Sequence, residues 1–230
     1  MSASHPSAGE LPRGGSIISN RLKEAGRAFL APLVRLAQRL GITANRVTVA
    51  GFCIVVVGAG LVAIGQLLLG AVVLVFGSLL DAVDGALARA TGGSTAFGAF
   101  LDSTLDRAAE GILYAGIIVY LLGATADPVW PVLLALAALS GSFMVSYTRA
   151  KAEAIGVSAS VGLAPRTERL VLIVAGIALA GMGLEIGLLG AIGIIAALSA
   201  ATTIQRIWHV RRQVEETPAV ASIGDTTQER

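Results

Sequence analysis

Residues 81–106 read DAVDGALARATGGSTAFGAFLDSTLD and carry four aspartates between long apolar segments. Asp81 and Asp84 are three residues apart on one predicted helix. Asp102 and Asp106 are four apart on the next, so each pair projects from one face of its own helix. The connection between these helices is short, which makes them antiparallel neighbours and places the two pairs at matching depths, roughly 6 to 12 Å from the connection. The sequence therefore predicts four converging carboxylates, and charged groups embedded in apolar helices are usually functional.

The rest of the chain has the composition of a polytopic membrane protein. It is 55% hydrophobic and 14% charged over 230 residues, with a mean hydropathy of +0.78, which is more apolar than a soluble core of this size needs. The net charge of +2 gives no indication of nucleic-acid binding. Apolar segments of about 20 residues, the length that crosses a bilayer, predict an all-α fold with six transmembrane helices. They are residues 46–66, 69–89, 98–122, 129–150, 166–182 and 187–208.

An amphipathic helix is predicted before the first span, over residues 16–40. Apolar side chains recur there at spacings of three and four, and basic side chains fall largely elsewhere, as in helices that lie on an anionic membrane surface. Packing against a soluble partner is the alternative. The ends of the chain, residues 1–15 and 213–230, are polar or rich in small residues and are predicted to be disordered, which leaves 41–212 as the six-helix domain.

Basic residues are confined to one side of this predicted topology. Three of the five connections between the apolar segments contain no Lys or Arg, and all 17 basic residues lie in the N-terminal arm, the other two connections, the C-terminal end, or next to them. By the positive-inside rule, both termini and the two basic connections face the cytoplasm from the cell membrane. The aspartate site is predicted at the same side.

Four carboxylates that lie close together cannot all stay ionised without cations. Oxygen-only ligation favours Mg²⁺ or Mn²⁺ over zinc. A site for two ions fits best, because two ions can clamp a phosphoryl group while one carboxylate accepts a proton. A cation or proton transporter is the alternative, although its carboxylates would be spread along a pathway with broken helices. Gly85, Ala88 and Gly98 lie beside the acids, where small residues serve either substrate access or tight helix packing.

Taken in order, residues 81–106 follow the pattern D-x2-D-G-x2-A-R-x8-G-x3-D-x3-D. This pattern resembles the signature of the CDP-alcohol phosphotransferases, with every specified position filled. The six spans and the amphipathic arm resemble the same family across residues 16–212. The resemblance implies a CDP-linked lipid such as CDP-diacylglycerol as donor, an acceptor hydroxyl that attacks the β-phosphorus, CMP as leaving group, and a helical homodimer.

The same resemblance assigns roles to individual residues. Asp81, Asp84 and Asp102 are implied to be metal ligands, and Asp106 the general base and a further ligand. The segment TANRVT at 43–48 resembles the family's TPxxxT motif at the start of the first transmembrane helix, with an alanine in place of the usual proline. The residues implied to bind the CDP group are Asn45, Thr48, Gly85, Ala88, Arg89, Thr95 and Gly98.

Three further segments bear on the acceptor. SYTRAKAE at 146–153, PRTERL at 165–170 and IQRI at 204–207 resemble segments of the prokaryotic phosphatidylinositol-phosphate synthases and their archaeal ether-lipid relatives, whose acceptor is inositol 1-phosphate. An anionic acceptor needs a basic patch of this kind, although basic residues also serve as positive-inside anchors. The residues implied to bind the acceptor phosphate are Ser146, Arg149, Lys151, Arg166, Arg169 and Arg206.

Several alternatives stay open at the level of sequence. Glycerol 3-phosphate is the alternative acceptor, which would make the protein a phosphatidylglycerophosphate synthase, and charge does not separate the two. Arg149 and Lys151 stand in the opposite order from the family's SYxKAR form, and Arg offers a bidentate fork where Lys offers a point charge. Glu110 continues the spacing of four from Asp102 and Asp106, so it either supports the site or pairs with Arg107.

Overall fold

The computed structural model describes residues 30–93, 95–159, 161–163 and 165–216. This part of the chain contains seven helices and no strand, which confirms the predicted all-α class. The helices are α1 (30–39), α2 (Ala44–Ala63), α3 (Leu67–Ala90), α4 (Ala96–Ala124), α5 (Val129–Ala154), α6 (Arg166–Gly181) and α7 (Ile186–Glu216). The predicted N-terminal tail, the first part of the amphipathic arm and residues 217–230 lie outside the described residues.

Helices occupy all six places where a span is predicted. Five of them, α2, α3, α4, α5 and α7, are long and apolar enough to cross a membrane. The chain is therefore a multi-pass membrane protein. Helix α6 has only 16 residues, fewer than the roughly 20 that span a bilayer, so the count of six transmembrane helices stays a prediction.

Two helices continue beyond their apolar segments. Helix α5 runs to Ala154 and α7 to Glu216, past the predicted ends at 150 and 208. Ion pairs between side chains four residues apart support both polar extensions: Arg149 Nε lies 2.8 Å from Glu153 Oε1, and Arg211 Nε lies 2.7 Å from Glu215 Oε1. Residues 213–216, predicted to begin the disordered C-terminal tail, are thus helical.

The core is made by close packing of small and branched residues between the helices. Ile117, Ile177, Ile192 and Ile195 are fully buried within it. Gly116 of α4 lies directly against the backbone of Ala59 in α2, where a Cβ atom would collide with the Ala59 carbonyl oxygen. Such small-residue contacts let membrane helices approach closely, and here they fix α2 against the helix that carries Asp102 and Asp106.

Helix α1 docks where α2 begins and α3 ends. Val34 and Ala37 are buried against Val47 of α2 and against Val83 and Leu87 of α3. A second apolar stripe of α1 stays exposed, as an interfacial helix requires. It consists of Leu33 and Leu36, and the exposed Leu40 follows directly after the helix.

Candidate active site

Three of the four aspartates predicted to converge do so, and the helices that carry them, α3 and α4, pack mainly on α2 rather than on each other. Carboxylate oxygens of Asp81, Asp102 and Asp106 all lie within 4.8 Å of one another. The connection that brings α3 to α4 turns at Gly92 and Gly93, whose φ values of 102° and 105° favour glycine. At the start of α4, the Thr95 side chain accepts a hydrogen bond from the backbone N–H of Gly98 at 3.0 Å, which caps the helix.

Asp84 is the most buried member of the cluster, with 6% of its surface exposed. Its Oδ2 atom has no hydrogen-bond partner among the described residues. Burying a charged oxygen without a partner is costly, and a bound cation would remove that cost. The donor set of oxygens alone suits Mg²⁺ or Mn²⁺, so these residues fit the metal that the sequence predicts.

A large cavity, here called the α1–α4 cavity, opens on one side of the aspartates. It lies between the turn after α1, the first turns of α2 and α4, and the last turns of α3, and it has a volume of about 920 Å³. Asp84 and Asp102 reach it. All seven residues predicted to bind the CDP group line it: Asn45, Thr48, Gly85, Ala88, Arg89, Thr95 and Gly98.

Gly98 controls how closely α2 and α4 approach in this cavity. A Cβ atom at Gly98 would lie 2.9 Å from Asn45 Oδ1 and 3.1 Å from Thr95 Oγ1. The first distance is shorter than real Cβ contacts and the second is shorter than most of them, so the absence of a side chain at Gly98 lets the Asn45 amide lie against α4. The glycine of the signature therefore has a steric reason in this structure.

A second cavity, the α2–α6 cavity, opens on the other side of the aspartates. It is bordered by α2, α3, α4 and α6 and is small, with a volume of about 60 Å³. Asp81 and Asp106 line it together with Glu110, Arg166 and Arg169, and apolar side chains form much of the remaining wall. The aspartate cluster thus lies between the two cavities: Asp81 and Asp106 line the α2–α6 cavity, Asp102 lines the α1–α4 cavity, and Asp84 lines both.

Acidic side chains of α3 and α4 pair with basic side chains of α6 in the α2–α6 cavity. Arg166 Nη1 lies 3.1 Å from Asp81 Oδ2, and its Nη2 lies 2.6 Å from Asp106 Oδ1. Three residues further along α6, Arg169 is buried and its Nη2 lies 3.3 Å from Glu110 Oε1. Glu110 therefore contacts a basic residue of the site, and Arg107 lies further from it, at 4.0 Å.

The other residues predicted for the acceptor lie around the end of α7 and the end of α5. The Arg206 guanidinium is buried; its Nε donates to the Val161 carbonyl at 2.8 Å and its Nη1 donates to the Val145 carbonyl. Ser146, Arg149, Lys151 and Arg206 line neither of the two cavities.

Sequence reasoning missed three polar residues that line the α1–α4 cavity, Gln38, Thr43 and Thr91. Gln38 lines this cavity from α1, because the helix docks through the neighbouring Ala37. The available signal was weak: between residues 30 and 40, Gln38 is the one uncharged polar residue, beside Arg35 and Arg39.

Comparison with known proteins agrees with this geometry. The family model of the CDP-alcohol phosphatidyltransferases matches residues 41–207. The chain therefore belongs to the CDP-alcohol phosphatidyltransferase family and is a membrane transferase.

Its relatives include two kinds of inositol-phosphate lipid synthase. The archaetidylinositol phosphate synthase of Methanothermobacter thermautotrophicus is 38% identical over 197 residues, which cover 85% of this chain and 95% of the relative. The phosphatidylinositol phosphate synthase of Mycolicibacterium smegmatis is 40% identical over 184 residues, which cover 78% of this chain and 82% of the relative.

Solved structures of the phosphatidylinositol phosphate synthase of Mycobacterium tuberculosis share the fold. The structure with CDP-DAG bound has a TM-score of 0.73 at 34% identity and covers 79% of this chain and 92% of its own. The structure with manganese and citrate has a TM-score of 0.73 at 33% identity, covering 79% of this chain and 88% of its own.

Proposed function

We propose that this protein transfers the phosphatidyl group of a CDP-lipid, CDP-diacylglycerol or its ether equivalent, to inositol 1-phosphate. The products are a phosphatidylinositol phosphate and CMP. One observation carries the proposal: the aspartates lie between a cavity lined by the predicted CDP-binding residues and a cavity that contains two arginines. The relatives named as inositol-phosphate lipid synthases, and the CDP-DAG-bound structure of one synthase, support the choice of substrates.

The donor is proposed to bind in the α1–α4 cavity. The cavity is large enough for a nucleotide diphosphate, and Asn45, Thr48 and Arg89 offer polar contacts to it. Asp81, Asp84 and Asp102 would hold one or two Mg²⁺ or Mn²⁺ ions, with Asp106 as a further ligand. When bound, such ions supply positive charge to the pyrophosphate of the donor.

The acceptor is proposed to bind in the α2–α6 cavity through its phosphate group. Arg166 and Arg169 are the basic residues of that cavity, and guanidinium groups bind phosphate through paired hydrogen bonds. Arg166 contacts the Asp106 carboxylate, so an acceptor held by Arg166 would have its hydroxyl group near Asp106. Arg149, Arg206, Ser146 and Lys151 extend the polar region at the cytoplasmic ends of the helices.

Asp106 is proposed to act as the general base. Its carboxylate takes the proton of the acceptor hydroxyl while the hydroxyl oxygen forms a bond to the β-phosphorus of the donor. The bond between the β-phosphorus and the bridging oxygen breaks, and CMP leaves with that oxygen and the electron pair. A positioned base of this kind contributes roughly 10² to 10⁴-fold to a reaction rate.

The placement of the protein in the membrane is part of the proposal. The site lies at the same end of the helices as the basic connections and the end of α7, and by the positive-inside rule this end faces the cytoplasm. We expect six transmembrane helices and a homodimer.

Exchange of the acceptor tests the proposal. Purified protein with Mn²⁺ and CDP-diacylglycerol is expected to release CMP fastest with inositol 1-phosphate, more slowly with glycerol 3-phosphate, and slowest with inositol, which lacks the phosphate. Faster release with glycerol 3-phosphate would overturn the choice of acceptor. If no acceptor of these three gave CMP, the proposed reaction itself would be wrong.

A further inference from the structure

One face of α7 holds the connection between α5 and α6. Thr202, Arg206 and Gln213 are spaced by four and seven residues along the helix, so their side chains lie on the same side. The connection comprises residues 155–165, of which 160 and 164 are not described. It leads directly into α6, which carries Arg166 and Arg169 in its first turn.

Each of the three side chains binds the backbone of the connection. The Leu163 N–H donates to Thr202 Oγ1 at 3.2 Å, Arg206 Nε donates to the Val161 carbonyl at 2.8 Å, and Gln213 Nε2 donates to the Ser158 carbonyl at 3.3 Å. From Thr202 to Gln213 along α7, the bonded residues of the connection run in the reverse direction, from Leu163 to Ser158. The connection is therefore bound to α7 at three of its described residues, and it runs antiparallel to α7.

Thr202 is the most buried of these contacts. Its side chain is fully buried, and a Cβ atom at Gly162 would collide with its Cγ2 methyl group. Gly162 has a φ of 149°, a conformation that side chains disfavour. Both features bring the backbone of the connection into direct contact with α7 just before α6 begins.

These contacts fix the position of the basic residues in the α2–α6 cavity. Leu163 precedes Arg166 by three residues, so a bond at Leu163 determines where α6 starts. Arg206, one turn from Thr202, also donates to the Val145 carbonyl of α5 and so joins α5, the connection and α7. Without such bonds, an irregular connection would sample several arrangements, and pre-organised side chains bind a ligand at lower cost than mobile ones.

We propose that Thr202 is a positioning residue for the acceptor site: through Leu163 and Gly162 it holds the α5–α6 connection so that Arg166 and Arg169 meet the acceptor phosphate. Gln213 does the same more weakly at the outer end of the connection. This inference rests on the proposed function, because it assigns the purpose of the contacts to acceptor binding. It differs from a role in stability alone, which would affect donor and acceptor equally.

A matched pair of threonine variants tests the inference. Thr202→Val keeps the shape of the side chain and removes the hydroxyl oxygen that accepts the hydrogen bond from the Leu163 N–H. Thr203→Val is the control, because the Thr203 hydroxyl donates only within its own helix, to the Ser199 carbonyl at 2.9 Å. Loss of one neutral hydrogen bond predicts an increase of about fivefold in the KM for inositol 1-phosphate in Thr202→Val. The KM for CDP-diacylglycerol and kcat are expected to stay unchanged, and Thr203→Val to match the wild type.

A second pair of variants, at Gly162 and Gly190, tests the same inference without removing the Thr202 hydroxyl. Gly162→Ala places a methyl group against Thr202 and is expected to raise the same KM. Gly190→Ala, on α7, meets nothing within 4 Å and is expected to leave it unchanged. Amide hydrogen exchange at Leu163, which does not depend on turnover, is expected to be faster in Thr202→Val than in Thr203→Val.

The outcomes separate the inference from the proposed function. If the wild type is active but Thr202→Val behaves like Thr203→Val, or if both KM values and kcat change together, the positioning role is wrong. If the wild type prefers another phosphorylated acceptor, the proposed acceptor fails, and the same comparison applies to the KM of that acceptor. A wild type inactive with all acceptors contradicts the proposed function, while unequal exchange at Leu163 would still show that Thr202 holds the connection.

Discussion

The two sides of the site are built in different ways. The signature region, residues 81–106, forms its part of the site from two consecutive helices and one short connection. The acceptor region consists of the start of α6, the α5–α6 connection and the ends of α5 and α7, and residues up to 61 positions apart are bonded there. The first region is local in sequence, and the second is assembled from distant segments.

This difference separates chemistry from substrate choice. Metal binding and proton transfer are proposed for aspartates whose spacing places each pair on one face of its helix, while the packing of α3 and α4 on α2 brings the two pairs together. Acceptor binding is proposed for arginines whose positions depend on bonds between helices. Changes in the signature region are therefore expected to reduce turnover or donor binding, and changes in the acceptor region to weaken acceptor binding.

The largest effect is expected at Asp106. Asp106→Asn removes the proposed base while leaving a side chain of the same size. We expect kcat for CMP release to fall by roughly 10² to 10⁴-fold, with retained binding of CDP-diacylglycerol measured on the same preparation.

Asp127→Asn is the matched control for this substitution. Asp127 lies in the connection before α5, where its Oδ1 accepts from the Val129 N–H at 3.3 Å, and it borders neither cavity. Wild-type kcat is expected. An active Asp106→Asn enzyme would remove Asp106 from the role of base.

Within the acceptor region, burial predicts which basic residue matters most. Arg169 is 3% exposed and pairs with Glu110, whereas Lys151 is exposed and lines neither cavity. Hydrogen bonds to charged groups are worth about 1.5 to 3 kcal/mol, so Arg169→Gln is expected to raise the KM for inositol 1-phosphate by roughly 10 to 100-fold. Lys151→Gln is expected to change it less than about threefold. The reverse order, measured in the same assay, would mean that the acceptor phosphate binds outside the α2–α6 cavity.

A smaller effect is expected at Gly98. Gly98→Ala forces Asn45 away from α4, because the new methyl group would lie 2.9 Å from Asn45 Oδ1. Loss of one contact between Asn45 and the CDP-lipid predicts that the KM for CDP-diacylglycerol rises about fivefold, while the KM for inositol 1-phosphate stays unchanged. Gly123→Ala, on the same helix with nothing within 4 Å, is the control and is expected to match the wild type. Equal KM values in the two variants would exclude Asn45 from the donor site.

Most of the signature region could be predicted from the sequence. The spacings of the four aspartates and the shortness of their connection predict that the carboxylates converge, because helix geometry is regular. Three of them do, Asp81, Asp102 and Asp106. The apolar segments likewise indicated where the helices lie. Their ends were less predictable: α5 and α7 extend as polar helices beyond the apolar segments, and hydropathy does not report that extension.

The acceptor region could not be derived from spacing. The family resemblance implied the same role, binding of the acceptor phosphate, for Arg166, Arg169 and Arg206. In the structure, Arg166 and Arg169 line the α2–α6 cavity, whereas Arg206 donates hydrogen bonds to backbone carbonyls. Thr202 gave no signal, because one threonine in an apolar helix most often bonds within its own helix. Its partner at Leu163 is 39 residues away and belongs to a connection whose path no periodic pattern describes.

The most direct test of two separate cavities is a measurement of both KM values in two variants, Asn45→Ala and Arg169→Gln. The two-cavity arrangement predicts that Asn45→Ala raises the KM for CDP-diacylglycerol alone and that Arg169→Gln raises the KM for inositol 1-phosphate alone. In the double variant, the two effects are expected to add. If both substitutions raised the KM of the same substrate, the aspartates would not lie between a donor cavity and an acceptor cavity.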